Sequence, residues 1–154
     1  MMRYKTGDLT EATEKYIAHG CNSHGVMGSG VALAIKNKFP EAFKSYKKFI
    51  KECDRLGKNP LGLCQSALID DGKSWENSKV ILNLITQYGY GTDGTRYASY
   101  DAIDDALRDT GLRNEEIAIS LIGCGLGGAR WSVVEMIIKE YEQDSGNRFT
   151  VYQQ

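Results

Sequence analysis

Little in this chain points to a metal, a disulfide framework, a membrane or a polyanion. Its four cysteines, Cys21, Cys53, Cys64 and Cys124, include no C-x-x-C pair, and its two histidines, His19 and His24, do not match a zinc-site spacing. Free thiols, no metal and no cofactor are expected. No apolar run approaches the length of a signal peptide or membrane span, and the chain turns polar at Arg3, so the expectation is a cytoplasmic protein (host cytoplasm if the chain is viral) with no membrane partner. Nineteen Lys and Arg stand against twenty Asp and Glu, a formal charge of −1, with no cationic run long enough to track a nucleic-acid backbone. Non-specific nucleic-acid binding is therefore not expected. No linker, repeat or low-complexity tract interrupts the 154 residues, so one domain over 1–154 is expected, long enough to bury about 70% of its unfolded surface without staples.

What is there is an alternation of strands and helices, with two glycine-rich loops set between them. Arg3-Tyr4-Lys5 reads as a short edge strand, followed by a turn in which Gly7 and Asp8 are turn and cap types. Tyr16-Ile17-Ala18 reads as a strand and Val31 to Ile35, with Phe39 beyond, as a helix. Between them runs His19-Gly20-Cys21-Asn22-Ser23-His24-Gly25-Val26-Met27-Gly28-Ser29-Gly30. Glycines there permit positive φ and close backbone approach, and a helix N-terminus presents unpaired N–H groups to an anion, phosphate above all. Pro40 closes that helix and opens another, with Ala42, Phe43, Tyr46, Phe49, Ile50 and Cys53 on one face and Lys44, Lys47, Lys48 and Lys51 reading as its solvated side.

The second half repeats the pattern. Leu63 to Ile69 and Val80 to Ile85 read as strands separated by a polar turn over 70–74, the second apolar enough for mid-sheet. Residues 86–100 interleave Gly89, Gly91 and Gly94 with Tyr88, Tyr90, Tyr97 and Tyr100, and read as a mobile wall over a ligand. Tyr100, Ile103 and Leu107 mark a helix. Ile117 to Ile122 reads as a buried strand, and Gly123-Cys124-Gly125-Leu126-Gly127-Gly128 forms the second loop. Ser132-Val133-Val134-Glu135 then reads as a capping box opening a helix faced by Val134, Ile137, Ile138 and Tyr141, and Phe149-Thr150-Val151-Tyr152 as a last strand. In open α/β sheets ligands sit beyond the carboxyl ends of the strands, so two such loops on neighbouring strands would face each other across one crevice. Two loops of this kind suit two phosphates.

Known signatures in these loops are formal matches only. Gly123-x-Gly125-x-x-Gly128 has the dinucleotide fingerprint spacing, but Arg148 falls where an acidic residue is required and the βαβαβ unit is missing. Cys124-(x5)-Arg130 has the spacing of cysteine-dependent phosphatases without their flanking His and Ser/Thr. The first loop lacks Gly-Lys-Ser/Thr, so it is not a triphosphate P-loop.

Taken together, Gly7-Asp8-Leu9, Gly20-Cys21-Asn22 with Gly28-Ser29-Gly30-Val31-Ala32, Ile122 to Gly128, and Phe149 to Tyr152 resemble the macro domain family, and the resemblance runs nearly end to end. It implies an α/β, three-layer α/β/α macro domain with a central mixed, mostly parallel sheet, binding ADP-ribose or ADP-ribose 1''-phosphate, with ADP-ribosylated macromolecules as further candidate partners. Residue by residue, Asp8, with Leu9 beside it, matches the carboxylate that accepts the adenine amine, and Asn22, beside Cys21, matches the asparagine that holds the distal ribose. Gly28, Ser29, Gly30 and Val31 match the wall around that ribose and its phosphate. Gly123, Cys124, Gly125, Leu126, Gly127 and Gly128 match the diphosphate loop, and Tyr152 the aromatic that packs on adenine. Each has a plainer alternative: Asp8 capping a turn, Asn22 tying its loop, Tyr152 filling core.

Departures from the family select among its branches. His19 stands where hydrolases of ADP-ribosylated acidic residues carry an asparagine. Thr86-Gln87 and Gly127 stand where another branch, hydrolases of terminal glutamyl-ADP-ribose, uses lysine and aspartate. The first loop and the segment from Thr86 to Gly91 look most like small macro domains that act as ADP-ribose 1''-phosphate phosphatases, which places Thr86 among the expected ligand contacts. Three functions remain open: that phosphatase, an ADP-ribosyl hydrolase, and a non-catalytic reader. For catalysis, His24 is the imidazole in a ligand-facing loop with a reference pKa suited to proton transfer, Asn22 would orient the ribose, and Asp93 or Asp101 would assist. His19, in a strand, reads as packed core.

Overall fold

Five of six strands run parallel, and their shared C-terminal edge is where the two glycine loops emerge. The computed structural model describes residues 2–70, 72, 74–89, 91 and 93–154; Asp71 and Lys73 of the expected polar turn and Tyr90 of the tyrosine-rich segment lie outside them. In chain order the elements are β1 (Arg3–Thr6), β2 (Tyr16–Asn22), α1 (Gly30–Lys38), α2 (Pro40–Arg55), β3 (Cys64–Ile69), β4 (Lys79–Gln87), α3 (Tyr100–Asp109), β5 (Glu116–Ile119), α4 (Trp131–Ser145) and β6 (Arg148–Gln153). The sheet order is β1-β6-β5-β2-β4-β3, with only β3 antiparallel, to β4. This is the expected mixed, mostly parallel sheet.

Apolar residues decide the layering. β4 is buried from Val80 to Thr86, as a strand covered on both faces must be. On one face Leu82, Leu84, Ile117 and Ile119 pack against Ile103 and Leu107 of α3 and Val134, Ile138 and Tyr141 of α4. On the other, Ile17 and Ile81 meet Ile35 of α1 and Ala42 of α2, while Cys21 and Ile85 meet Tyr46. Pro40 occupies the first turn of α2, where its missing N–H costs nothing. Gly146 ends α4 in the left-handed conformation, its N–H on the Glu142 carbonyl.

Three sequence boundaries are corrected. β2 continues through His19 to Asn22, because each of these residues finds a β4 partner, with a bulge between Cys21 and Asn22. β5 ends at Ile119, and Ser120 to Ile122 already belong to the second loop. Ser132 lies inside α4, whose N-cap is Arg130, and the expected capping box does not form. Glu135 instead accepts from the Tyr4 hydroxyl and pairs with Lys139.

Candidate functional site

β2 and β5 lie side by side, Ala18 opposite Ile119, so the loops that follow them open onto one edge. Between them is a cleft of about 800 Å³, within the ordinary range for ligand pockets, roughly 300–1,000 Å³. It is lined from the carboxyl ends of all five parallel strands: Gly7 to Thr10 after β1, Gly20 to Asn22 and the first loop after β2, Gln87 after β4, Ser120 to Gly127 after β5, and Tyr152 to Gln154 at the end of β6. The crevice expected from paired strand-loop-helix units is present, at the edge where it was expected.

The first loop is stitched by side chains. Asn22, buried, accepts from the His24 N–H at 2.9 Å and the Val26 N–H at 3.3 Å through Oδ1, and its Nδ2 donates to the Val26 carbonyl at 2.7 Å. From α2, the buried Tyr46 hydroxyl donates to the Asn22 carbonyl at 2.5 Å, lies 3.0 Å from Asn22 Oδ1 and accepts the Gly25 N–H at 3.2 Å. Burial pushes the Tyr46 phenol well up, so it stays a donor. Both roles considered for Asn22 therefore coexist: it ties the loop and it lines the cleft.

The second loop is shaped by what its residues lack. A Cβ on Gly123 (φ +74) would stand 2.9 Å from the Ala98 Cβ, and one on Gly127 would stand 3.2 Å from Gln87 Oε1. The Gly127 carbonyl accepts from the N–H groups of both Tyr97 and Ala98, at 2.9 and 3.0 Å. Gln87, Arg96, Tyr97 and Ala98 thus buttress this loop from behind. Of the described residues in 86–100 only Gln87 lines the cleft, which corrects the reading of a tyrosine wall over the ligand.

Charge in the cleft is sparse. Among its described lining residues Asp8 is the one acidic side chain, and there is no Lys or Arg. Cationic character comes from the backbone: the N–H groups of Gly30, Val31 and Ala32 in the first turn of α1, and of Gly125 and Leu126 in the second loop, find no acceptor among the described residues. Ser29 holds the N-cap position of α1 without a capping side-chain bond, so it does not block those amides. Asp8 uses Oδ1 for both the Thr10 N–H and the Thr10 hydroxyl, leaving Oδ2 for a donor in the cleft. Tyr152 lines the cleft while its hydroxyl donates to Glu14 at 2.7 Å, and Leu9 sits buried beside it.

Fourteen of the expected site residues sort cleanly by position once His24, Thr86 and Gly128 are removed. Asp8, Leu9, Cys21, Asn22, Gly28, Ser29, Gly30, Val31, Gly123, Cys124, Gly125, Leu126, Gly127 and Tyr152 line the cleft. His24 does not: the bonds from Asn22 turn its backbone inward, and its ring stands outside, edge-on to Tyr88 at 5.5 Å. Thr86 lies one residue below the cleft, its buried hydroxyl 2.9 Å from where a Gly20 Cβ would be. The bulge after Cys21 brings Gln87 up in its place. Gly128 faces the Arg96 backbone, 2.9 Å from its would-be Cβ. Asp93 is spent on the Thr95 N–H and the Tyr97 hydroxyl, and Asp101 opens α3; neither lines the cleft.

No side chain in the cleft is activated as a nucleophile. Burial raises the thiol pKa of Cys124 and, more strongly, of Cys21, against the thiolate a cysteine phosphatase needs. Arg130 does not reach the cleft either. Beneath it lies a buried polar trio in which His19 Nε2 meets Asn83 Oδ1 at 2.6 Å and Cys21 Sγ lies 3.6 Å from the same nitrogen. Desolvation lowers the His19 pKa to about 4, so the imidazole is neutral, as a packed core histidine should be. Sequence reasoning missed Gln87, Ser120 and Gln153 as lining residues, and Tyr46 as the anchor of the first loop; only the position of Gln87 at a strand end offered a signal.

The sequence model of the family described as Macro domain matches residues 18–138. A DNA ADP-ribosyl glycohydrolase of Thermus aquaticus is 30% identical over 146 residues, covering 91% of this chain; the chain spans only 37% of that protein's length. An ADP-ribose 1''-phosphate phosphatase of Saccharomyces cerevisiae is 26% identical, with 90% of this chain and 89% of that protein covered. Among solved structures, the macrodomain of Mycobacterium tuberculosis DarG superposes with a TM-score of 0.78 at 25% identity, covering 100% of this chain and 98% of that one.

Proposed function

The chain belongs to the macro domain family, and from that premise we propose that its cleft binds ADP-ribose and that the protein hydrolyses a bond at the distal ribose, with ADP-ribose 1''-phosphate as the small-molecule substrate and ADP-ribose and phosphate as products. One observation carries the reading. Five backbone N–H groups on two loops that line the cleft have no acceptor among the described residues, and the cleft has no lysine or arginine among its described lining residues, an arrangement suited to a diphosphate held by amides and a helix N-terminus.

In this reading Asp8 Oδ2 accepts the adenine amine and Tyr152 packs on the base. The amides of Gly125 and Leu126 and those of Gly30 to Ala32 share the diphosphate and the 1''-phosphate. Asn22 keeps one Nδ2 proton after its bond to Val26, and that proton meets a distal ribose hydroxyl. A second reading, release of ADP-ribose from nucleic acid, is supported by the name of the Thermus relative.

Phosphate release from ADP-ribose 1''-phosphate, run beside ADP-ribose release from an ADP-ribosylated oligonucleotide, tests both. Asp8→Ala should lose about 1.5–3 kcal/mol of ADP-ribose affinity, the worth of a hydrogen bond to a charged group, by calorimetry. His24→Ala, outside the cleft, should keep turnover within about twofold, as surface changes do. No ADP-ribose binding by the wild type would end the reading.

A further inference from the structure

The near-neutral total charge is an average over two opposed faces. The helices on one side of the sheet, α1 and α2, hold seven Lys or Arg against three Asp or Glu, a net +4. Those on the other side, α3 and α4, hold two against eight, a net −6. A polyanion approaching this molecule is therefore repelled by one helical layer and drawn to the other.

On the attractive side the charge is organised. Ala42, Tyr46 and Cys53 turn one face of α2 inward, which leaves Lys44, Lys47, Lys48, Lys51 and Arg55 exposed on the opposite arc. Three- and four-residue steps set neighbours on such a face about 5–6 Å apart, and Lys44 to Arg55 runs about 16 Å along the axis. Arg55 pairs with Glu52, but none of the four lysines has a carboxylate partner among the described residues. The row leads to the outer side of the first loop: the side chain of Ile50, between Lys47 and Lys51, lies 3.6 Å from where a Gly25 Cβ would be, Tyr46 holds the Gly25 N–H, and Val26, the next residue, lines the cleft. At that same loop Tyr88 stands 66% exposed, its ring edge-on to His24.

We propose that the outer face of α2 is a docking track for single-stranded nucleic acid, which runs past Tyr88 to the mouth of the cleft. A row of exposed lysines matches a chain of phosphates, and an exposed aromatic beside it offers a stacking platform that a duplex, with its bases already paired, and an acidic peptide, with none, do not use. The inference rests on the ADP-ribose reading only for what the strand carries, namely an ADP-ribosyl group delivered into the cleft.

Fluorescence anisotropy with a labelled oligothymidylate of about 12 nucleotides, a length within the usual single-strand site sizes, tests the track directly. Binding should fall with salt at a slope of about −3 in log K against log salt, as four phosphate contacts on a single strand require. Lys48→Glu/Lys51→Glu should weaken it at least about tenfold and flatten that slope, and Tyr88→Ala should weaken the oligothymidylate but not a polyglutamate peptide. Calorimetric ADP-ribose affinity should be unchanged in both variants, which also reports that they fold. Oligothymidylate binding that is absent, or equal in the double variant, overturns the proposal. Polyglutamate binding as tight as oligothymidylate overturns it in favour of an acidic protein partner. If the wild type binds oligothymidylate but not ADP-ribose, the track stands and the reading of the cleft falls.

Discussion

The two glycine loops meet across one cleft but are held in opposite ways. The first is held by added chemistry: one buried asparagine and one buried tyrosine satisfy its backbone from within. The second is held by subtraction, its glycines letting Ala98, Ala129 and the Arg96 backbone approach where any side chain would intrude. The difference teaches where each loop is vulnerable. The first fails when a polar group is removed, the second when an atom is added.

The largest effect is expected from Asn22→Ala. It strands the His24 and Val26 N–H groups and the Val26 carbonyl in a half-buried loop, and unsatisfied groups cost about 1–3 kcal/mol each. Urea unfolding should show a loss of about 3 kcal/mol, with ADP-ribose affinity down by roughly a hundredfold. Affinity close to wild type would mean that the loop is organised by something other than Asn22.

Next is Gly123→Ala, which places a Cβ 2.9 Å from that of Ala98 at a φ of +74. Overpacking and a left-handed alanine together should cost about 2–3 kcal/mol. Adding Ala98→Gly should return the packing part and leave the backbone part. A single variant as stable as the wild type would remove the contrast between the loops.

Smallest, and confined to the floor of the first loop, is a pH effect. His19 has its folded pKa lowered to about 4 by burial, against an unfolded value near 6.5. Between those values the unfolded chain binds a proton that the folded chain refuses, so its stabilising share is full above pH 6.5 and is lost as pH falls toward 4. At pH 5 the loss should be about 2 kcal/mol, seen in urea midpoints and absent in His19→Gln. Parallel pH profiles for the two proteins would show that His19 is not the titrating group.

Much of this was legible without coordinates. Apolar spacing located all four helices and the buried strands, since burial on one face imposes period 3.6 and burial on two imposes a continuous run. Fourteen expected site residues reached the cleft because strand ends and the loops after them are contiguous in sequence. What failed was direction. Thr86 and Gln87 are neighbours, and a bulge in β2, a feature of pairing, decided which of them faces the cleft. His24 was placed outside by bonds that Asn22 makes to its backbone. Ser132 lost its capping role because α4 already begins at Trp131, and Glu135 bonds instead to Tyr4, 131 residues away.

By itself, then, the sequence determined the alternation of strands and helices, the two loops and the edge on which they open, because hydrophobic period and glycine placement are local properties of the chain. Tertiary structure alone decided which side chains of those loops turn inward, that Tyr97 and Ala98 support the second loop from behind, and that a net charge of −1 is divided between a basic and an acidic helical layer. Those outcomes depend on partners brought together across the sheet, and no count along the chain contains the distance between residues that only folding makes neighbours.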